Sequence, residues 1–284
     1  MIPLRAHPSG RPLVPGRQTA ARLAFAAGPG GTWLAGQRTP HPFHITRPFR
    51  LAGDPAGMAT LYLQSSSGGL YGDDDLDLSI RVGAGAAAHV TTQASTVVHH
   101  ARGGETRTGV TIEAAEDSLV EYLPDPAILF AGARLDTRLT LRLEVGARAI
   151  IADAQISHDP AGAGEAFEHL LAETRIEGAG GEALLIDRID VDGADWRART
   201  APWAANAMLI VAGSRDAAGT ASTIGAALKE TEGVWAGASA FADRDLVVVR
   251  LVATGGVALT RGLETAWAAA RVALTGSHPP KRQK

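Results

Sequence analysis

Three acidic residues at alternate positions, Asp73, Asp75 and Asp77, are the first groups in the chain whose spacing suggests chemistry. A D-x-D-x-D run opens the calcium loop of an EF-hand, in which oxygen ligands surround the ion. That loop also needs glycine at its sixth position and glutamate at its twelfth, where this chain has Leu78 and Ala84. We therefore expect an acidic loop that leads into a strand. The alternative is a surface that meets a cation or a basic partner.

The histidines do not form a recognisable metal motif. His99 and His100 are adjacent, and adjacent residues of a strand point to opposite faces, so they cannot chelate one ion together. His89 shares a face with His99 only if the strand between them is unbroken. No H-x-x-x-H spacing and no cysteine occurs in the sequence, which argues against a tight transition-metal site.

Enzyme motifs are also weak. The segment 83–88 reads G-A-G-A-A-A and resembles the dinucleotide fingerprint, but that motif requires a helix to begin there. The β-branched residues Val90, Thr91 and Thr92 follow, which favours a strand. The sequence has no G-x-S-x-G elbow, no Walker A motif and no cysteine nucleophile.

Two further carboxylates are set in unusual surroundings. Asp125 stands between two prolines, which hold it in an extended corner. Glu165 follows a Gly-rich segment and either lines a cavity or is solvated. A β-rich hydrolase that uses His158 and Asp159 is the enzymatic alternative, and it would need a nucleophile, a base and an orienting group in one cleft.

Composition indicates a globular chain without nucleic-acid chemistry. Its 284 residues are 45% hydrophobic, include no cysteine and carry a net charge of −3, and no apolar run reaches the ~18 residues that cross a bilayer. Residues 1–53 hold seven arginines and no acid. We expect a disordered basic tail over residues 1–17, one domain over 18–276 and a frayed polar tail over 277–284.

The segment 65–93 organises the rest of the chain. Leu76, Leu78, Ile80 and Val82 alternate with polar residues, which predicts a strand with one buried face within a loop and hairpin-like unit. Comparable strand–turn–strand units have turns near Gly85, Asp117 and Gly146, so stacked layers are favoured, with an antiparallel meander as the alternative. The predicted strands cover residues 20–25, 32–34, 59–64, 76–82, 95–99, 110–113, 119–123, 139–145, 149–154, 170–176, 184–191, 206–211 and 246–252, with a further strand through Val90.

Two segments near the C-terminus have helical character. Residues 220–229 are Ala-rich, and residues 257–274 place Leu259, Leu263 and Trp267 on one apolar stripe. Arg271 is expected to lie off that stripe. The fold predicted from these patterns is mainly β, with layered sheets and two C-terminal α-helices.

Five short segments resemble the urease accessory protein family UreD, called UreH in some systems. They are SGGLYGD at 67–73, TTQA at 91–94, EYLPDP at 121–126, GEAF at 164–167 and VRL at 249–251, and they stand in the family's order and approximate spacing. The resemblance covers roughly residues 32–274 and ends in a helix that contains Trp267.

The resemblance implies a β-helix-like arrangement of the sheets and a cytoplasmic urease maturation factor that is not an enzyme. Such proteins bind apo-urease and the partners UreF and UreG, with the possible assembly of a dimer of heterotrimers, and no nucleic acid or membrane. They are thought to conduct Ni²⁺ to urease, with no tightly bound cofactor. A conduit should use weak oxygen ligands, because clustered histidine or cysteine would trap nickel.

The resemblance also implies candidate residues. The motif or channel candidates are Asp73, Asp74, Thr91, Thr92, Gln93, Glu121, Asp125 and Glu165, with weak, transient Ni²⁺ contacts expected at Glu121 and Glu165. Leu259, Leu263 and Trp267 are the candidates for docking UreF, and the alternative is that this stripe is ordinary core. The chain departs from the family pattern at His99-His100 and at Asp159-Pro160, which leaves open a related protein with another client.

Overall fold

A computed structural model describes residues 16–159 and 162–280. Within these residues, seventeen strands and three α-helices form two large sheets and a helical layer. The strands are β1 (Gln18–Ala26), β2 (Trp33–Arg38), β3 (Phe43–Ile45), β4 (Ala59–Ser65), β5 (Asp75–Val82), β6 (Ala87–Thr92), β7 (Thr96–Val98), β8 (Thr106–Ala114), β9 (Leu119–Leu123), β10 (Ala127–Leu129), β11 (Arg134–Leu143), β12 (Arg148–Ser157), β13 (His169–Glu177), β14 (Ala183–Asp192), β15 (Ala205–Ala212), β16 (Val234–Phe241) and β17 (Leu246–Ala253). The helices are α1 (Gly193–Thr200), α2 (Ala217–Lys229) and α3 (Gly256–Thr275).

The centre of the molecule is a β-solenoid, which confirms the predicted layered, mainly β fold. Strands β5, β8, β11 and β13 pair in parallel in the seven-stranded sheet, and β4, β6, β9 and β12 pair in parallel in the ten-stranded sheet. Each coil of chain contributes one strand to each sheet. Leu61, Val90, Tyr122 and Ile151 therefore occupy equivalent positions of four successive coils.

The three predicted turns lie on top of one another where the chain passes between the sheets. The Gly85 amide donates to the Glu116 carbonyl at 3.0 Å, and the Asp117 amide donates to the Val145 carbonyl at 3.2 Å. Gly85, Asp117 and Gly146 all have positive φ. The hairpin-like interpretation of the first unit was wrong: β5 and β6 lie in different sheets because the turn after Val82 carries the chain across the interior. The parallel pairing also rules out the meander.

A ladder of rings runs along the third side of the solenoid, where β7, β10 and the end of β12 form a short parallel sheet. Tyr71 stacks on His99 with centroids 4.6 Å apart, Phe130 meets His99 edge-on at 5.7 Å, and His158 lies 5.5 Å beyond Phe130. The guanidinium of Arg17 lies 5.4 Å from the Tyr71 ring at the other end. The ladder arises because each ring follows the same position of its coil.

Three apolar clusters hold the layers together. The main core lies between the two large sheets and includes Ile80, Ile112 and Ile151. The helix core lies between the ten-stranded sheet and α2 and α3, and the corner core surrounds Leu135 and Leu170. None of the helices in the described residues is both long enough and apolar enough to cross a membrane.

Four elements were absent from the sequence prediction, namely the short strands β3 and β10, helix α1 and strand β16. Helix α1 is a third helix beside the two predicted ones. It is short, and its Trp196 packs against the corner core. Strand β16 reads VWAGASAF, and alanine, glycine and serine have little intrinsic preference for strands. Its conformation is imposed by antiparallel pairing with β17 along its whole length.

Candidate functional site

Glu121 lies at the centre of a buried charge cluster, defined as Glu121, Arg271, Asp54, His89 and Trp267. Arg271 donates from Nε to Glu121 Oε1 at 2.8 Å, and it also binds Oε2 through Nη2. Its Nη1 donates to Asp54 Oδ1 at 2.6 Å. Both Glu121 and Arg271 are 0% exposed. The cluster therefore ties the C-terminal helix α3 to β9 of the solenoid and to the loop before β4.

Aromatic groups complete the buried charge cluster. His89 Nδ1 lies 2.7 Å from Glu121 Oε2, and Trp267 Nε1 donates to the same oxygen at 3.1 Å. The indole stacks on the His89 ring at 5.2 Å and also lies 4.8 Å from the Arg271 guanidinium. Burial alone would raise the pKa of Glu121, but the hydrogen bonds from His89 and Arg271 hold that pKa at about 2. The carboxylate is thus kept ionised and fully hydrogen-bonded inside the protein.

The prediction that Arg271 lies off the apolar stripe of the last helix was wrong. Trp267 and Arg271 are four residues apart, so they share a face of α3, and both point towards Glu121. The available signal was this i, i+4 spacing together with an acid elsewhere in the chain. A buried arginine needs partners that offset the cost of its burial, and the sequence near Arg271 contains none. For that reason Arg271 was predicted to lie off the stripe.

The predicted docking residues have different surroundings. Leu259 and Trp267 are buried in the helix core of this chain. Leu263 is partly buried and lines a shallow depression with Asp125 and Glu264, between α3 and the turn after β9. Of the three residues, Leu263 is therefore the one with the larger accessible surface.

The polar residues at the end of β6 lie at one corner of the solenoid. Thr91 Oγ1 donates to the Leu123 carbonyl at 2.6 Å, and Thr92 Oγ1 accepts the Asp125 amide at 2.7 Å. The side-chain amides of Gln64 and Gln93 hydrogen-bond to each other. The structure thus brings together Thr91, Thr92 and Asp125 from two successive coils.

The acidic loop before β5 is an anchoring point for the start of the described chain. Asp74 is 2% exposed and accepts hydrogen bonds from the Arg17 amide at 2.9 Å, the Arg17 guanidinium and the Tyr71 amide at 2.8 Å. Burial would raise the pKa of Asp74, and the bonds from Arg17 and Tyr71 lower it below its usual value. Asp73 is exposed beside it and has a φ of 67°. Residues 1–15 of the predicted tail lie outside the described residues.

Glu165 lies in an exposed loop held by its backbone. Arg197 of α1 donates to the carbonyls of Gly164 and Glu165, while Asp159 accepts the amides of the same two residues at 2.7 and 3.1 Å. Asp159 is therefore engaged in two backbone hydrogen bonds, and the neighbouring His158 packs against Phe130. Glu165 and Glu121 share no hydrogen bond or ion pair among the described residues.

A polar band that the sequence analysis did not identify crosses the interior of the solenoid. It is defined as Thr108, Thr137, Asp153, Gln155 and Thr174. On β11 and β13, Thr137 and Thr174 each lie between a residue of the corner core and a residue of the main core. Thr108 Oγ1 donates to Thr137 Oγ1 at 3.0 Å. The band thus separates two apolar clusters that would otherwise be continuous.

The acid and amide of the polar band come from the ten-stranded sheet. Asp153 and Gln155 follow Ile151 at alternate positions of β12, so they share the face that points between the sheets. Burial raises the pKa of Asp153, and it also raises the pKa of the neighbouring Tyr122. The buried Gln155 amide hydrogen-bonds to the Asp153 carboxyl, which partly opposes the rise in the pKa of Asp153.

No tight metal site is present among the described residues: nowhere do three or more histidine, aspartate or glutamate side chains converge so that they could hold an ion. His100 Nδ1 accepts the Arg102 amide at 2.9 Å, and His99 Nε2 lies 3.0 Å from the Gly68 carbonyl. The adjacent residues His99 and His100 are therefore engaged in packing and local hydrogen bonds.

Comparison with known proteins decides the family. A sequence model described as UreD urease accessory protein matches residues 17–284. The chain belongs to the UreD family. It is 38% identical over 285 residues to Urease accessory protein UreD 1 of Methylorubrum populi, a match that covers 99% of this chain and 96% of the relative. Urease accessory protein UreD 1 of Pseudomonas syringae pv. syringae is 34% identical and matched over 99% of this chain and 100% of its own length.

The family resemblance inferred from five motifs is confirmed, and a role in urease maturation follows from it. Another UreD protein, UreD 3 of a Bradyrhizobium strain, is 34% identical over 95% of this chain. These accessory proteins are named for assisting an enzyme, which favours a non-catalytic role for this chain.

Proposed function

We propose that this UreD protein assists the loading of urease as a scaffold and conduit for Ni²⁺, in complex with UreF and UreG. The observation that carries the conduit is the polar band between the two apolar clusters of the solenoid. A hydrated cation avoids a continuous apolar interior, because desolvation without compensating ligands is costly. Hydroxyl, amide and carboxyl oxygens provide the compensation along this band.

The chemistry of the band suits passage better than storage. Its side chains offer oxygen ligands, and they include one acid, Asp153, with no histidine or cysteine. Nickel is held strongly by imidazole and thiolate groups, whereas neutral oxygen donors exchange it readily. An ion could therefore enter and leave without being trapped.

The sequence-based contacts at Glu121 and Glu165 stay predictions. Glu121 would have to give up Arg271 to bind an ion, and a buried arginine without its partner is strongly unfavourable. Glu165 is exposed and could receive nickel at the surface. We place the passage itself in the polar band, and we regard Glu121 chiefly as the centre of the cluster that fixes α3.

Threonine-to-valine substitutions on β11 and β13 test the conduit. Thr137→Val and Thr174→Val together remove two hydroxyls from the band with little change of volume, whereas Thr140→Val makes the same change on the outer face of the sheet. Urease would be purified from cells that co-express it with each variant and with UreF and UreG. Its nickel content and activity would be measured together with the amount of UreD in the complex.

We expect several-fold less nickel in urease with the double variant and normal loading with Thr140→Val, at equal amounts of assembled complex. Full nickel loading by the double variant would refute passage through the band. If the chain did not assemble with UreF, UreG and urease, the maturation role itself would fail. A related protein with another client would then be favoured.

A further inference from the structure

Two arginines at one end of the seven-stranded sheet have no acidic partner. Arg22 of β1 and Arg38 of β2 are opposite each other in the antiparallel ladder, so their side chains leave the same face of the sheet. Both are exposed, and among the described residues neither side chain makes a hydrogen bond or an ion pair. Like charges directly opposite on neighbouring strands destabilise a sheet. A bound anion would remove that cost.

The other arginines on the strands of this sheet are paired. Each of them lies 2.6–3.0 Å from a carboxylate oxygen, and they are Arg81, Arg107, Arg134, Arg138, Arg142, Arg175 and Arg188. Within the described part of the sheet, Arg22 and Arg38 are therefore the exceptions, and they stand side by side. This contrast indicates that their negative partner comes from outside the chain.

A row of hydrogen-bond donors continues from the two arginines across the outer face of the sheet. Ser79 of β5 is the register partner of Arg22, and Thr111 of β8 is the register partner of Ser79. The row Arg38, Arg22, Ser79 and Thr111 therefore crosses four strands that are about 4.8 Å apart. All four residues line the same depression.

Small residues beside the row make room for a ligand. Ala20 and Ala24 flank Arg22 along β1, and Gly36 lies opposite Ala24 on β2. The depression that they leave has a volume of about 790 Å³, which is within the range of small-molecule sites. A ligand in it would meet cationic and hydroxyl groups along the row and apolar groups beside it.

The acidic residues around the depression are engaged elsewhere. Asp77 leans over Gly109 of the next strand, where an added Cβ would lie 2.2 Å from the Asp77 Oδ1 atom. Burial and the neighbouring Asp75 raise the pKa of Asp77, whereas a guanidinium beside it would lower that pKa. Glu113 accepts a hydrogen bond from Arg81 at 2.8 Å. Neither carboxylate therefore neutralises the two arginines.

We propose that the row Arg38, Arg22, Ser79 and Thr111 binds a phosphate group, either free or carried by a nucleotide. Guanidinium groups hold phosphate oxygens through paired hydrogen bonds. A phosphate group presents three oxygens, so it can use guanidinium and hydroxyl donors from neighbouring strands together, which the two oxygens of a carboxylate do less well. The site lies on the outer face of the sheet, so it is independent of the proposed conduit in the interior.

Isothermal titration calorimetry of the full chain, in a buffer free of phosphate, tests the proposal. The probes are inorganic phosphate, pyrophosphate, adenosine diphosphate and adenosine. We expect the three phosphate compounds to bind and adenosine not to bind. If adenosine diphosphate binds more tightly than pyrophosphate, the ligand is a nucleotide. If the two bind equally, the site recognises the phosphate group alone.

Substitutions make the test specific to the two arginines. Arg22→Gln and Arg38→Gln should each weaken phosphate binding by about tenfold or more, because each removes a charge-assisted contact. Arg188→Gln is the matched control: it removes the same charge from the same sheet, but Arg188 is paired with Asp190 at 2.9 Å. It should change the affinity by less than about twofold, since distant surface charges are screened. Circular dichroism checks that each variant is folded.

Three results would overturn the proposal. The first is a folded wild-type chain that binds none of the three phosphate compounds. The second is binding that persists when both arginines are replaced, or that Arg188→Gln weakens as much as Arg22→Gln does. The third is a preference for a glutamate-rich peptide over all three phosphate compounds, which would identify an acidic protein segment as the partner.

Discussion

Acidification should expose the energetic role of the buried charge cluster. The change is Glu121→Gln, which keeps the shape of the side chain and removes its titration. A fall in the pKa of Glu121 from the ordinary 4.5 to about 2 is worth about 3 kcal/mol of folding free energy, at about 1.4 kcal/mol per pKa unit. Because the pKa is lower in the folded protein, this stabilisation is complete above pH 4.5 and is lost as the pH falls towards 2.

The assay is urea unfolding of both proteins at about pH 6 and about pH 3, within which about 2 kcal/mol of this stabilisation should disappear. The wild-type chain should therefore lose about 2 kcal/mol more than Glu121→Gln between these two conditions. Glu113→Gln is the control, since Glu113 pairs with Arg81 at 2.8 Å on the exposed face of the seven-stranded sheet and should behave like wild type. If Glu121→Gln lost as much stability on acidification as the wild-type chain, the proposed role of the cluster would be refuted.

Two further predictions concern the solenoid turns and the ring ladder. Gly146→Ala should lower the free energy of unfolding by about 1 kcal/mol or more, because the φ of Gly146 is 74°. Gly225→Ala inside α2 should instead raise that free energy by up to about 1 kcal/mol, because alanine is the better helix former and space is open there. Urea unfolding measures both changes, and changes of the same sign would contradict the reasoning. In the ring ladder, a double-mutant cycle of His99→Leu and Phe130→Leu should give a coupling energy of about 0.5–1.5 kcal/mol, and strictly additive losses would show that the ring contact adds nothing.

The buried charge cluster and the polar band have different roles in the proposed function of this UreD protein. The cluster fixes α3 on the solenoid through contacts between residues that are distant in sequence, such as Arg271 and Glu121. The band lines the interior of the solenoid with hydroxyl, amide and carboxyl groups, among which the Gln155 amide hydrogen-bonds to the Asp153 carboxyl. The proposed conduit would use the oxygen atoms of these groups as exchangeable ligands, while the cluster keeps α3 in place.

Local pattern was enough to predict much of the fold. Alternation along β5 identified a strand with one buried face, and the repeated turns at Gly85, Asp117 and Gly146 indicated stacked coils. These features depend on neighbours within a few residues, because side-chain direction alternates along a strand and positive φ favours particular turn residues. The corner at which Thr92 accepts the Asp125 amide was not predicted, because it joins residues that are distant in sequence.

By itself, the sequence determined the family, the layered β fold and the two longer C-terminal helices of this protein. The tertiary structure alone decided which polar side chains are buried and with what partners. Arg271 became part of the interior because the solenoid and an early loop placed Glu121 and Asp54 beside it. Strand β16 exists because β17 supplies its hydrogen bonds. Alternation tells which side of a strand a residue occupies, but only the packed chain places a charge, a ring or an open edge opposite it.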